Sequence, residues 1–282
     1  MEFIQKVVDE LDSFEFDPKY IESWNTYLNE AKWGWDFISP SINSLPAGSH
    51  VFELGAGPQA LAAQVASQDM IVTAIEPSGS GFSIMADLGE KVNALAAKSN
   101  ITYTVIDVTG EEYVNSNFFD FAYSVNVMEH VSEIDCVLDN VLYSLKAGGV
   151  YQFVCPNYAF PFEPHFNFPT LVHKGLTDMV IRKKALKASK VSDPEGLWSS
   201  LNWITQRKVK KWAKEKDNVS VVFSNRALQM YISRAQKDPI FVQRHRILSQ
   251  ISMKMSPLLL AISKLVPKSI SPFIDVKITK LN

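Results

Sequence analysis

The chain has 282 residues, 46% of them hydrophobic and 21% charged, a balance that excludes disordered and fibrous classes. Two cysteines, Cys136 and Cys155, are too few for a disulfide framework or a four-cysteine zinc site, so a reducing, cytoplasmic setting is expected. The net charge of −2 conceals an asymmetry: residues 1–157 sum to −16 and residues 158–282 to +14, so the second half is either a solvated basic face or a surface that meets something anionic.

The opening MEFIQKVVDELDSFEF carries acids where a signal peptide needs a basic and then an apolar stretch, so no leader is expected. Ile4, Val7, Val8, Leu11 and Phe14 recur at helical spacing, and a second helix follows Pro18 with Trp24, Tyr27, Leu28 and Ala31 on one face. Apolar runs then appear at 50–54, 71–75, 101–106, 119–125 and 149–155. Stretches at 58–68, 80–98, 110–117 and 131–145 between them can form helices. This alternation predicts an α/β, doubly wound, mostly parallel sheet. Residues 158–169, dense in proline and aromatics, read as loop. Residues 170–190 and 201–216 read as basic helices, 219–223 as a strand, 226–266 as mostly helix and 273–279 as a last strand. The expected division is therefore 1–45, N-terminal helices covering a site; 46–157, the sheet core; and 158–282, a basic helical cap that also supplies the last strands.

The most informative stretch is Val51-Phe52-Glu53-Leu54-Gly55-Ala56-Gly57-Pro58, between the first strand and the first helix. Gly55 and Gly57 let the backbone turn sharply and approach a ligand. Gly-x-Gly alone marks no more than a tight turn. Here it is followed, twenty-one residues after Gly55, by Glu76 at the end of the second strand, where an acid can accept hydrogen bonds from ribose hydroxyls. The pattern Gly55-x-Gly57-x-x-Ala60 also matches the dinucleotide fingerprint. Against a pyrophosphate stand Pro58, which lacks an N–H, and Glu53, which would repel it. S-adenosylmethionine fits better, because a carboxylate beside the loop attracts its ammonium and sulfonium charges. Asp107 and Val108 end the third strand, where an acid and the next backbone N–H can meet an adenine; a turn former is the simpler reading of Asp107. Ser124 to Asn126 ends the fourth strand, at the carboxyl edge where open α/β sheets bind ligands.

Glu53-x-Gly55-x-Gly57, Glu76-Pro77, Asp107-Val108, the Phe119–Val131 segment ending Met-Glu-His-Val, and Leu145-Lys146-Ala147-Gly148-Gly149 together resemble the successive motifs of class I S-adenosylmethionine-dependent methyltransferases, nearest to the type 11/12 small-molecule branch. The resemblance implies a seven-stranded Rossmann-like sheet with an α-helical cap and S-adenosylmethionine as cofactor. It also implies roles: Glu53, Gly55, Ala56 and Gly57 for the methionine moiety, Glu76 and Pro77 for the ribose, Asp107 and Val108 for the adenine, and Asn126 beneath the cofactor. Some relatives carry a metal site written Glu-x-x-Glu-His; here the pattern reads Asn126-x-x-Glu129-His130. An amide is a poor ligand for a divalent ion, so no metal is expected, and His130 reads as a packing residue that fixes the loop.

Methyl transfer needs an aligned acceptor, excluded water and, for an alcohol, a base. The loop beyond the fifth strand offers Glu163-Pro164-His165-Phe166 among Phe160, Phe162 and Phe168. His165 is the candidate base or acceptor-orienting group and Glu163 its partner; a rigid aromatic lid with a packed histidine is the alternative. The expected acceptor is a small molecule or a glycan- or lipid-linked group, anionic given the basic second half. Nucleic acid is not favoured, because the pI is near 6.2 and Trp198, Trp203 and Trp212 recur at helical spacing among the lysines. The apolar helix 255–266, with Lys254 and Lys264, could touch a membrane surface. No obligate protein partner is evident. Two other readings stay open: an NAD(P)-dependent oxidoreductase and a non-catalytic S-adenosylmethionine-binding module.

Overall fold

The computed structural model describes residues 1–11, 20–78, 83–171, 173–188, 193–238, 242 and 246–282. Phe14, Pro18, Lys190, His245 and the first residues of the helix expected at 80–98 lie outside the described residues. The strands are β1 (His50–Leu54), β2 (Ile71–Ile75), β3 (Thr104–Ile106), β4 (Phe119–Val125), β5 (Leu145–Pro156), β6 (Phe162–Glu163), β7 (Phe168–Pro169), β8 (Val219–Phe223) and β9 (Phe273–Lys280). Seven of them form one sheet in the order β3-β2-β1-β4-β5-β9-β8, and β6 and β7 form a separate antiparallel pair. β1 runs parallel to β2 and β4, and β2 to β3; the sheet is mostly parallel with an antiparallel end. This is the α/β fold that the alternating pattern predicts.

The chain divides into two compact units. The first comprises residues 1–125, 138–152 and 280–282, the second residues 126–137 and 153–279. In the first, β1 to β4 alternate with α3 (Ala60–Ala66) and α4 (Ser83–Lys98), preceded by α1 (Glu2–Asp9) and α2 (Ile21–Ile42). A parallel strand covered on both faces must be apolar along its whole length. Accordingly Val51, Phe52 and Leu54 are buried, and Phe52 stacks on Tyr113 and Phe119. Glu53, next to the last residue of that strand, is buried too. Nothing about packing calls for a carboxylate there.

α1 lacks a side-chain cap at its own start. Buried Gln64 of α3 supplies one from a distance, its Oε1 accepting the N–H groups of Phe3 at 3.0 Å and Ile4 at 3.2 Å. Gln64→Leu is expected to cost about 1–2 kcal/mol by leaving those amides unmet; chemical denaturation measures the loss, and hydrogen exchange should speed up selectively at Phe3 and Ile4.

The second unit holds α6 (Lys174–Val180), α7 (Arg182–Ala188), α8 (Pro194–Ser200), α9 (Gln206–Lys214), α10 (Arg226–Lys237) and α11 (Arg246–Leu265) with β6 to β9; α5 (Ile134–Ser144) begins in it and ends in the first unit. Trp198, Trp203 and Trp212 are all buried, so they pack the interior and offer no platform for stacking bases. Several elements differ from expectation. Residues 110–117 are not a helix, because Asn140 on α5 donates to the carbonyls of Gly110 and Glu111 and holds them in an open loop. The third strand is confined to Thr104–Ile106, α9 starts only at Gln206, and the 158–169 loop contains the β6–β7 hairpin. Both cysteines are free, Cys136 exposed and Cys155 buried. No helix among the described residues is long and apolar enough to cross a membrane.

Candidate functional site

In the first unit the carboxyl ends of β1, β2 and β3 are sewn together beyond the sheet ladder. Gly55 and Ala56 both donate to the carbonyl of Ile75 at 3.0 Å, and Glu76 donates to that of Ile106 at 3.1 Å. Gly57 donates its N–H to Glu76 Oε2 at 2.8 Å, and Ser78 donates its N–H to Asp107 Oδ1 at 2.7 Å. The structure thus brings together Glu53, Gly55, Ala56, Gly57, Glu76, Pro77, Asp107 and Val108 at neighbouring strand ends. The left-handed backbone at Gly55 (φ 78°) and Gly57 (φ 49°) makes the turn, a conformation that glycine adopts without steric cost.

The electrostatics of this edge are those of unsatisfied acid. Glu53 is 3% exposed, and its Oε2 has no hydrogen-bond partner among the described residues. Burial lifts its pKa well above the ordinary carboxylate range; the Tyr123 hydroxyl opposes this and the charge of Glu76 adds to it. Tyr123 faces Glu53 across the β1–β4 pairing. Burial raises Glu76 as well, against the hydrogen bond from Gly57. Asp107 is lowered by its hydrogen bonds from Ser78 and is exposed; in this state it acts as the turn former.

Asn126 belongs to the second unit. It directly follows β4 with φ 55°, where asparagine is among the few tolerated residues, and donates its N–H to Val154 at 2.9 Å. Three residues further, Glu129 is fully buried, and neither of its carboxylate oxygens has a hydrogen-bond partner among the described residues. The Nε2 atoms of His130 and His165 each stand 3.9 Å from Glu129 Oε1, and the two imidazoles meet edge to face at 5.3 Å. Burial raises Glu129 to about 7, with His165 and the residue's own backbone N–H opposing and Glu163 adding. Burial and the charge of His165 lower His130 to about 3.

The expected pair forms: His165 Nδ1 lies 2.6 Å from Glu163 Oε1. Glu163, fully buried, also accepts from the Tyr158 hydroxyl and, through Oε2, from the Phe166 N–H at 2.7 Å. Tyr158 stacks on Trp203 at 4.9 Å, and Trp203 has φ 59°, a strained conformation for a bulky residue. Asn202, just before it, donates Nδ2 to the carbonyls of Met128 and Val131, both at 2.7 Å, and its N–H to the backbone carbonyl of Glu129 at 2.8 Å. Asn202 therefore clamps the loop that carries Glu129 and His130. The sequence alone indicated neither this clamp nor the convergence of Glu129 with His165. A buried acid beside a histidine, in Met-Glu-His-Val, was the available signal.

The methyltransferase-domain family matches residues 52–153. Two uncharacterized proteins, from two strains of Mycobacterium tuberculosis, are each 38% identical over 254 residues, 89% of this chain and 85% of theirs. The fold is similar to geranyl diphosphate C-methyltransferase from Streptomyces coelicolor (TM-score 0.53, 10% identity, 91% of this chain and 77% of that one). It is also similar to phosphoethanolamine N-methyltransferase 2 from Haemonchus contortus (TM-score 0.52, 14% identity, 90% of this chain), of which the chain spans about half, 52%. An S-adenosylmethionine-dependent methyltransferase from Mesorhizobium loti gives a TM-score of 0.51 at 13% identity, over 88% of this chain and all of that one. None of this supports the nicotinamide alternative. Sheet order, motif sequence and family match agree, and the chain belongs to the class I S-adenosylmethionine-dependent methyltransferases.

Proposed function

We propose that Glu53, Gly55, Ala56 and Gly57 hold the methionine end of S-adenosylmethionine, Glu76 and Pro77 its ribose, and Asp107 and Val108 its adenine. When bound, this cofactor supplies a methyl group on an activated sulfonium. The observation that carries the reading is Glu53, a buried carboxylate with an unmet oxygen beside a glycine turn, whose desolvation a cationic ligand would offset. Glu76 fits the ribose: one oxygen steadies Gly57, and a carboxylate has acceptor sites to spare.

The test follows from linkage. A cation beside Glu53 favours its ionised form, so the raised pKa falls on binding. The free protein then carries more protons than the complex, between the ordinary carboxylate range and the raised value. Binding should release protons in that window, and affinity should rise with pH through it. Calorimetry with S-adenosylmethionine in two buffers of different ionisation enthalpy reads the release directly. Glu53→Gln should lose the release and bind at least tenfold more weakly. Buffer-independent heats together with unchanged affinity in the variant would count against the assignment.

The acceptor in this reading is a small molecule or a glycan- or lipid-linked group bearing a negative charge. The +14 balance of residues 158–282 supports the charge, as does the phosphate of the compounds named for two similar folds, geranyl diphosphate and phosphoethanolamine. His165 is the residue proposed to meet the acceptor, with Glu163 as its positioning residue, because the 2.6 Å contact between them fixes the ring.

A further inference from the structure

The second unit carries a surface that cofactor binding does not use. Residues 170–190 hold six Lys/Arg and a single acid, Asp178. Two of the cations are engaged within the fold: Lys174 Nζ donates to the carbonyl of Leu201 at 2.6 Å, and Arg182 pairs with Glu195 at 2.6 Å. Asp178 is engaged as well, its Oδ1 accepting Trp198 Nε1 at 2.7 Å. Lys183, Lys184 and Lys187 on α7 are exposed. Just before them Met179 is 76% exposed, and Leu171, Leu176 and Val180 are each about half exposed. Leu176, Met179 and Val180 stand at i, i+3 and i+4 of α6 and so share one face; burial falls instead on Thr177 and Ala185. Apolar side chains gathered on one face and bordered by a single sign of charge mark an interaction surface.

We propose that this face of α6 and α7 docks on an anionic lipid bilayer, with Leu176, Met179 and Val180 entering the boundary between headgroups and acyl chains and the three lysines meeting lipid phosphates. Charge decides the occupant. A second copy joined about a two-fold axis would set these lysines against themselves. Residues 170–190 contain no Phe, Tyr or Trp on which the bases of a nucleic acid could stack. Helices of seven residues lie on a membrane and do not cross it. The face is also tied to the hairpin that carries Glu163 and His165. The Leu171 N–H, two residues beyond β7, donates to Thr177 Oγ1 at 3.1 Å, and Phe166 meets Trp198, the partner of Asp178, edge to face at 5.1 Å. Resting on the proposed role of His165, this narrows the acceptor to one carried by a membrane lipid and presented at the bilayer beside that hairpin.

The experiment is co-sedimentation of the full chain with vesicles of phosphatidylcholine and phosphatidylglycerol in equal parts, against vesicles of phosphatidylcholine alone. The chain should pellet with the mixed vesicles, far less with the neutral ones, and high salt should release it. Lys183→Gln with Lys184→Gln should weaken binding by about tenfold or more, and so should Leu176→Ser with Met179→Ser. All four side chains are exposed, so the melting temperatures should match the wild type. Equal binding to both kinds of vesicle, or binding indifferent to both double variants, would overturn the proposal. So would a concentration-dependent dimer in sedimentation velocity that the lysine variant abolishes, which would assign the face to a second copy. Met255, Leu258, Ile262 and Leu265 on α11 are exposed too, within a stretch, 239–274, that has five Lys/Arg and no acid. Loss of binding in Leu258→Ser with Ile262→Ser, but in neither α6–α7 variant, would move the contact to α11 and overturn the placement. Vesicle binding is read without S-adenosylmethionine, and S-adenosylhomocysteine affinity on the same samples separates the claims: its absence would sink the methyl-transfer reading and leave the membrane face standing.

Discussion

Gly57→Val is expected to abolish cofactor binding while leaving the protein folded. Gly57 sits at φ 49°, where a β-branched residue is an outlier and the left-handed conformation costs roughly 1–2 kcal/mol even without branching. An added Cβ would meet nothing closer than Met85 Sδ at 3.8 Å, so the effect is conformational strain and not a clash with the protein. Relaxing φ to negative values swings the N–H away from Glu76 Oε2 and releases the carboxylate assigned to the ribose. Added side-chain volume also points where the ligand must approach. Calorimetry at concentrations that saturate the wild type should detect no S-adenosylmethionine binding, with a melting temperature only a few degrees lower. Gly57→Ala should fall between the two. Wild-type affinity in the valine variant would contradict the placement of the methionine end.

Asn202→Ala should produce the largest stability loss among polar substitutions in the second unit. Its amide nitrogen serves two carbonyls, Met128 and Val131, and its Oδ1 accepts the Ile204 N–H at 2.9 Å. At about 0.5–1.5 kcal/mol for each hydrogen bond, with unmet carbonyls left behind, the loss is roughly 2–4 kcal/mol. Trp203 alongside is held in a strained conformation that persists only while its surroundings enforce it. Loosening the clamp should therefore also free Trp203, visible as a red-shifted and less structured fluorescence contribution. Urea denaturation measures the stability term. A change below about 0.5 kcal/mol would mean that the loop carrying Glu129 is held by other contacts.

What could be read from the residues follows a physical pattern. β1, β2 and β4 were legible because strands buried on both faces are written as apolar runs, and Glu53 stood out against that run. The strand-end acids were legible because each falls at a fixed place relative to its strand. His165 and Glu163 were legible as a pair because a single residue, Pro164, separates them. Glu129 was not connected to His165, since only the fold brings residues thirty-six apart together. Helix α8 went unread although its signal was present: Asp193 caps it by accepting the Gly196 N–H at 2.9 Å, and Pro194 occupies the first turn. Residues 110–117 were misread because local propensity yields there to tertiary bonds from Asn140 and to the stacking of Tyr113 on Phe52.

A crystal structure of the chain with S-adenosylhomocysteine locates the cofactor. The amino group is expected beside Glu53, the ribose hydroxyls on Glu76 and the adenine edge at Asp107 and Val108. Clear density for the ligand elsewhere, or a glycine turn closed over by side chains at saturating ligand, would contradict it.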